Sequence, residues 1–264
     1  MKIEASGVRA GYGSRTVLHD VSFSASGAES VVLLGPNGSG KSTLLKLLSG
    51  HLVPRSGDVM LDGVPLASLP RRKIAEKLAV LPQEPFFPSE MTVRELVLLG
   101  RYPHRGAFLP ASKEDRQILD RVLERMSLTA LRDRKLGALS GGERRRVRIA
   151  MALAQTPEIL LLDEPAAYLD ISAQAAFADL MLQLREEWKI TIVLVLHDLN
   201  LAVRCASRIA LMRDGRILYQ GKPEEVLTPE NIHAVFGVRM ISAPVPGGMV
   251  YGLPPAVPRR GCIP

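Results

Sequence analysis

Only two cysteines, Cys205 and Cys262, occur among 264 residues, and they lie far apart. They suggest neither a disulfide framework nor a zinc site, and each reads as a buried or idle thiol. No apolar run approaches the roughly 20 residues needed to span a bilayer. The opening Met1-Lys2-Ile3-Glu4 has no signal-peptide pattern. The expectation is a chain that stays in the cytoplasm unless a partner holds it at a membrane. No internal repeat is present. What is present is 47% apolar residues, enough for a sizeable core, in a length that suits one large domain or two small ones. The formal charge of +7 suits nucleic acid, an anionic membrane surface or ATP, and alone selects none of them.

The most informative stretch is Gly35-Pro36-Asn37-Gly38-Ser39-Gly40-Lys41-Ser42-Thr43. It follows an apolar run at 31–34 that reads as a buried strand, and it precedes a helical run, 44–48, ending near Gly50. That context supports a phosphate-binding G-x-x-x-x-G-K-[ST] loop. Glycines let the backbone approach phosphate oxygens closely. The loop's N–H groups and the helix N-terminus offer partial positive charge. Lys41 would add a full charge at the β- and γ-phosphates, and the Ser42 hydroxyl would be a ligand of Mg²⁺.

Before this loop, 3–10 and 16–23 are strand-like and make a small antiparallel sheet. Tyr12, in the turn between them, could stack on a base, or be an ordinary surface tyrosine. After it, Asp62-Gly63 marks a hairpin turn, and 74–81 alternates toward a strand at 78–81 that ends in Pro82-Gln83. The Gln83 amide can both donate and accept, which suits a group that touches Mg²⁺ or water in one state and lets go in another.

Residues 84–157 change character. Pro85, Phe86, Phe87 and Pro88 form an apolar, proline-broken stretch that could dock a partner helix or pack into the core. Thr92 caps a helix at 93–101 with Glu95 at its third position. Residues 112–125 have helical spacing, with apolar Ile118, Leu119, Val122 and Leu123. We read this block as a mostly helical subdomain inserted between two halves of an α/β core. It ends in Leu139-Ser140-Gly141-Gly142-Glu143 before a helix at 144–155. Ser140 and Glu143 make a capping box, and the same helix end can serve as a second anion site. The arginines at 144–146 and Arg148 read as a solvated helix face, because no interleaved aromatics suggest a nucleic-acid groove.

A second buried strand at 159–162 ends in Asp163-Glu164-Pro165. Ligands of open α/β sheets bind at that edge. Adjacent carboxylates there point to opposite sides: Asp163 can hold Mg²⁺ through water, and Glu164 can orient or deprotonate the attacking water. A helix at 172–187, a third buried strand at 191–196, and His197-Asp198 follow, placing a histidine on the same edge. Asp214-Gly215 turns a terminal hairpin, and short helical runs broken by Pro229 occupy 223–236. From 241 onward Pro244, Pro246, Pro254, Pro255 and Pro258 dominate, and an irregular tail is expected.

Taken in order, these motifs resemble the ATP-binding subunit of an ABC transporter over residues 1 to about 240. The match comprises Tyr12, the loop at 35–43, Gln83, 139–143, 159–164, Ala167-Tyr168-Leu169-Asp170 and His197. The resemblance implies an α/β fold: a P-loop NTPase core, an N-terminal antiparallel β subdomain and an inserted helical subdomain at 84–157, with 241–264 as a Pro-rich tail. It implies ATP and Mg²⁺ as cofactors and transport-coupled ATP hydrolysis. It implies that two copies face each other head to tail, each ATP gripped by Lys41 and Ser42 of one copy and by Ser140, Gly141, Gly142 and the neighbouring Glu143 of the other. Tyr12 would stack on adenine, Asp163 position Mg²⁺, Glu164 the water, and His197 and Gln83 the γ-phosphate region, while Asp170 would lie at the dimer contact. Glu143 stands where many members have Gln.

Val93-Arg94-Glu95-Leu96, Gly100-Arg101-Tyr102-Pro103-His104, 168–172 and 197–202 further resemble importers of iron–siderophore, haem or cobalamin. The implied partners are integral membrane permease subunits and, indirectly, a substrate-binding protein, with the chain peripheral on the cytoplasmic face and no nucleic acid expected. An ABC ATPase for another cargo or for export shares the same chemistry. A soluble, nucleic-acid-associated ABC protein is the alternative of a different class.

Overall fold

A computed structural model describes residues 1–83, 87–105, 110–167, 169–245 and 248–254. Two strands, β1 (Lys2–Tyr12) and β2 (Arg15–Ser26), are followed by β3 (Ser30–Leu34), helix α1 (Lys41–Leu48), β4 (Ser56–Leu61) and β5 (Val64–Pro65). Next come α2 (Arg71–Lys77), β6 (Leu78–Leu81), α3 (Val93–Leu99), α4 (Lys113–Arg125) and α5 (Gly141–Ala154). Then β7 (Ile159–Asp163), α6 (Ile171–Glu186), β8 (Thr191–Val195), α7 (Leu199–Cys205), β9 (Arg208–Arg213) and β10 (Arg216–Gly221) return the chain to the core. Last are α8 (Pro223–Val226), α9 (Pro229–Phe236), β11 (Ile241–Val245) and β12 (Gly248–Gly252).

The strands form an antiparallel sheet, β2-β1-β4-β5, and a six-stranded sheet, β10-β9-β3-β8-β7-β6, parallel except for β10. The short runs β3 and β8 are buried at every position, as strands covered on both faces are. Their side chains still alternate. Val31, Leu33, Ile159, Leu161, Val193 and Val195 join one core with α1, β1 and β2. Val32, Leu34, Leu160, Leu162, Ile192 and Leu194 join the other with α3, α4, α5 and α6. The sheet is therefore the wall between two apolar layers. Its C-terminal edge is left for chemistry.

Within the helical region a buried ion pair adds to the apolar packing. Arg101 and Asp115 are 4% and 5% exposed, with Arg101 Nε donating to Asp115 Oδ1 at 2.8 Å. Arg101 also donates to the Ala154 carbonyl at the end of α5 (2.8 Å), while Asp115 accepts from the Ser112 N–H and hydroxyl. Burial pushes the Asp115 carboxyl up, but Arg101 and Ser112 outweigh it and hold the carboxyl at about 2.

Three expectations change. Residues 71–77 are helical rather than the start of an alternating strand; only Ile74 of α2 is buried, so neither period left a clear imprint. The helix after Thr92 stops at Leu99 rather than 101. Gly100 lies against α5 so closely that a Cβ would sit 2.1 Å from the Met151 carbonyl oxygen. Third, the described part of the tail is a hairpin: Ile241 pairs with Gly252 and Val245 with Gly248. Prolines are tolerated because each strand of a two-stranded sheet is an edge. Asn200 anchors it, accepting from the Tyr251 N–H (2.8 Å) and donating to its carbonyl (3.1 Å). Pro85, Phe86 and Tyr168 lie outside the described residues. Phe87 is half-buried against the larger core, which favours the packing alternative for that ring.

Candidate functional site

Four neighbouring parallel strands deliver their C-terminal ends to one edge. β3 runs into the 35–40 loop, β8 toward His197, β7 ends on Asp163, and β6 leads to Gln83. The loop is built on glycine at two points. Gly35 has φ +156°, and a Cβ there would lie 2.1 Å from the Met212 carbonyl oxygen and 2.8 Å from Ser39 Oγ. Gly40, at φ +101°, starts α1 in the left-handed region, where a Cβ would meet Leu18 at 2.8 Å. No side chain caps α1, and no acid stands in its first turn. Its leading N–H dipoles are left for an anion.

Lys41 is 5% exposed, and its Nζ donates to the carbonyls of Gly35 (2.8 Å) and Pro36 (3.0 Å). Burial pulls its pKa down, and Glu164 and Asp163 offset this only in part. A phosphate would supply the missing counter-charge. Ser39 Oγ is buried without a hydrogen-bond partner, a donor suited to a phosphate oxygen. The loop therefore fits a polyphosphate.

Beside it, Ser42 Oγ donates to Asp163 Oδ1 at 3.0 Å. Burial raises the Asp163 pKa, and the Ser42 hydrogen bond works against that rise. A hydroxyl and a carboxylate on one spot are hard oxygen donors, fitting Mg²⁺. Among the described residues no cluster of three His, Cys, Asp or Glu could hold a metal. A cation here would draw on this pair and on phosphate oxygens.

Glu164 does not continue the strand: it leaves β7 in the left-handed region at φ +49°. Its Oε2 accepts from Gln83 Nε2 at 2.8 Å, and His197 Nε2 lies 2.7 Å from its Oε1. The two carboxylates do diverge, Asp163 to Ser42 and Glu164 to Gln83 and His197. Gln83 and His197, expected near a γ-phosphate, meet on the acid between them. Tyr12 is 47% exposed, with Lys46 of α1 5.6 Å from its ring centre, so the ring sits beside the phosphate-loop helix.

The second helix end is separate. Ser140 caps α5, its Oγ accepting from the Glu143 N–H (3.2 Å) while Glu143 Oε2 accepts from the Ser140 N–H (2.7 Å). The Ser140 hydrogen bonds, the backbone one first, depress the Glu143 pKa. A Cβ on Gly141 or Gly142 would meet nothing within 4 Å. Ser140, Gly142 and Glu143 line a cavity of about 430 Å³ with Arg145, Leu169 and Ser172. Asp170 caps α6, accepting from the Ala173 N–H at 2.8 Å, and the adjacent Ile171 is 87% exposed.

The family model described as ABC transporter matches residues 18–167. The chain is 42% identical over 255 residues to the probable siderophore transport system ATP-binding protein YusV of Bacillus subtilis (strain 168), covering 96% of this chain and 92% of that protein. It is 41% identical over 239 residues to the ferric enterobactin transport ATP-binding protein FepC of Escherichia coli (strain K12), covering 90% and 88%. In structure it resembles MJ0796, a bacterial ABC transporter cassette solved as a dimer. The TM-score is 0.72 at 31% identity, covering 84% of this chain and 98% of that one. The chain belongs to the ABC transporter family.

It is an ATP-binding subunit of that family, and such subunits hydrolyse ATP. Several supports of this ABC cassette escaped the sequence reading. The Asp214-Gly215 turn buttresses the phosphate loop: the Gly215 N–H donates to the Ser39 carbonyl at 3.1 Å. A Cβ on Gly215 would sit 1.9 Å from the Val17 carbonyl oxygen. Its Asp-Gly signal was legible as a turn, but its target was not. Lys46, beside the Tyr12 ring, carries no motif signal in the sequence. On the arginine face of α5, Arg144 and Arg146 are exposed as expected and Arg145 is half-buried; Arg144 also donates to the Leu139 carbonyl (2.8 Å) and Arg145 to that of Ala167 (2.5 Å). Among the described residues no helix is long and apolar enough to cross a membrane.

Proposed function

We propose that this subunit energises import of a metal chelate, an iron–siderophore, haem or cobalamin, through partner membrane permease subunits fed by a substrate-binding protein. The observation that carries the chemistry is Glu164, held between Gln83 and His197 beside the Ser42–Asp163 pair. Lys41, Ser39 and the α1 N-terminus bind the ATP phosphates, and Tyr12 stacks on adenine. Glu164 accepts a proton from water as the water oxygen bonds to the γ-phosphorus and the bond to the bridging oxygen breaks. Both Glu164 oxygens are engaged in this structure, and each keeps a second lone pair with which to accept from the water. Ser42, Asp163 and Gln83 would hold Mg²⁺, and that ion would neutralise phosphate charge.

The second helix end supports a head-to-tail dimer. Ser140, Gly141 and Gly142 have open space before them, and Glu143 stands at the same end. Asp170 and exposed Ile171 sit near the contact. The cargo class rests on likeness to YusV and FepC. The subunit would work peripherally, on the cytoplasmic face, through its permease. A different cargo or an exporter would use the same residues. Uptake assays with candidate chelates on the copurified permease complex decide that point.

Glu164→Gln tests the site. ATP binding should persist, turnover should fall by roughly a hundredfold or more, and ATP should trap a dimer visible by size-exclusion chromatography. Near-normal turnover would remove Glu164 from this role. Mixing Lys41→Ala with Ser140→Arg chains tests sharing. One composite site then carries both lesions and the other neither, so activity should partly return.

A further inference from the structure

Immediately before α3 and immediately before Ser140, two stretches of chain run antiparallel and are hydrogen-bonded as a short ladder. The Gly137 N–H donates to the Ser89 carbonyl (2.9 Å) and the Leu136 N–H to that of Met91 (2.8 Å). In the other direction, Val93 N–H donates to the Arg134 carbonyl (3.0 Å) and Arg94 N–H to that of Arg132 (2.8 Å). Thr92 and Lys135 form the bridge between them. The flanking ion pair, Lys135 with Glu90 at 2.5 Å, is exposed and adds little. The backbone carries the join.

One stretch starts six residues after Gln83, which holds Glu164. The other ends three residues before Ser140, which caps the second helix end. Little slack exists on that short side. Leu136 and Leu139 are buried (5% and 4% exposed), and a 3₁₀ turn joins them, Leu139 N–H to the Leu136 carbonyl at 3.2 Å. At the far end, Gly100 lies against Met151 and Arg101 caps α5 at Ala154. α3 and α5 are thus fastened at both ends. Gly137 leaves little room in the ladder: a Cβ there would lie 3.1 Å from Ser89 Cβ and 3.4 Å from the Ser89 carbonyl oxygen. Ser89 itself is exposed.

We propose that Ser89 and Gly137 are positioning residues of the shared ATP site. Their contact sets where Ser140–Glu143 stand relative to the 89–94 stretch before α3, and hence whether the second helix end meets the partner's nucleotide. The inference rests on the shared-site reading above. It predicts that crowding this contact weakens ATP-driven pairing of two copies without touching the grip of one copy on ATP.

The test uses Glu164→Gln as background, with dimer measured by size-exclusion chromatography against ATP concentration. Adding Gly137→Ala should raise the ATP needed for half-dimerisation by roughly tenfold, since the new Cβ makes the Ser89 stretch give by a few tenths of an ångström. ATP affinity of the single copy should stay within about twofold, because the phosphate loop is untouched. Adding Ser89→Gly as well removes the opposing Cβ and should restore pairing. Ser89→Val, at an exposed position, crowds the contact from the other side and should also impair pairing; it keeps the test sound if Gly137→Ala does not fold. Unchanged pairing in the folded crowded variants, or no restoration by Ser89→Gly, overturns the proposal and leaves the shared site standing. If Glu164→Gln alone never dimerises with ATP and the Lys41→Ala and Ser140→Arg mixture stays inactive, the shared site itself falls, and the proposal with it.

Discussion

Two helix N-termini do opposite things with the same backbone chemistry. α1 begins after a left-handed glycine, without a cap and without an acid in its first turn. α5 begins at Ser140 and is closed by its own Glu143. The first leaves its donors waiting, with a buried lysine beside them. The second has already satisfied two donors and carries a carboxylate held ionised by the cap. A helix end built to capture phosphate alone looks like α1; α5 looks like an end that contributes only once something else brings the phosphate to it. The far ends differ as well: both are buried among apolar side chains, but α5 is also tied at Ala154 by Arg101, which Asp115 neutralises.

The largest expected effect separates those two kinds of anchor. Asp115→Ala leaves Arg101 buried without its partner and should cost about 3–5 kcal/mol in stability, read by denaturant unfolding. The same anchor has a pH signature. The Asp115 pKa of about 2 lies below the ordinary value of 3.8, so its contribution is complete above that value and is lost as pH falls through the folded one. Wild-type stability should therefore drop between about pH 4 and 2, and the Asp115→Asn variant should lack that component. An unchanged acid limb would show that α5 is not held this way.

Next in size is the contrast in capture. Lys41→Ala should weaken ATP binding to the single copy by roughly a hundredfold, the loss of a charged hydrogen bond in a buried site. Ser140→Arg should leave that affinity unchanged, as measured by nucleotide titration. If both lose binding equally, the two helix ends are not distinct in role. The smallest effect sharpens the difference. Glu143→Gln keeps the capping geometry and removes a negative charge, so ATP-driven dimerisation should tighten by about two- to fivefold at low salt, and less at high salt.

The contrast was half legible in the sequence. Glycine spacing, the lysine, and the Ser-x-x-Glu box are local features, and local features survive in one dimension. So do the buried strands β3, β7 and β8, whose apolar runs state their burial. The contacts that assemble the site are long-range. Gln83 meets Glu164 across 81 positions, and Glu164 meets His197 only because β7 and β8 are neighbours. Nothing in the sequence near Arg101, the last residue of the helix expected at 93–101, announces Asp115 as its partner. The hairpin at 241–252 was hidden by its prolines; what fixes it is Asn200, far upstream.

Glu164 sits in left-handed backbone at φ +49°, a conformation that a glycine would occupy without strain. Selection for heat tolerance alone should therefore pull this position toward glycine, at the expense of the proposed base. A laboratory evolution campaign on this subunit needs a turnover screen alongside its thermal one, or its most robust winners will be inert.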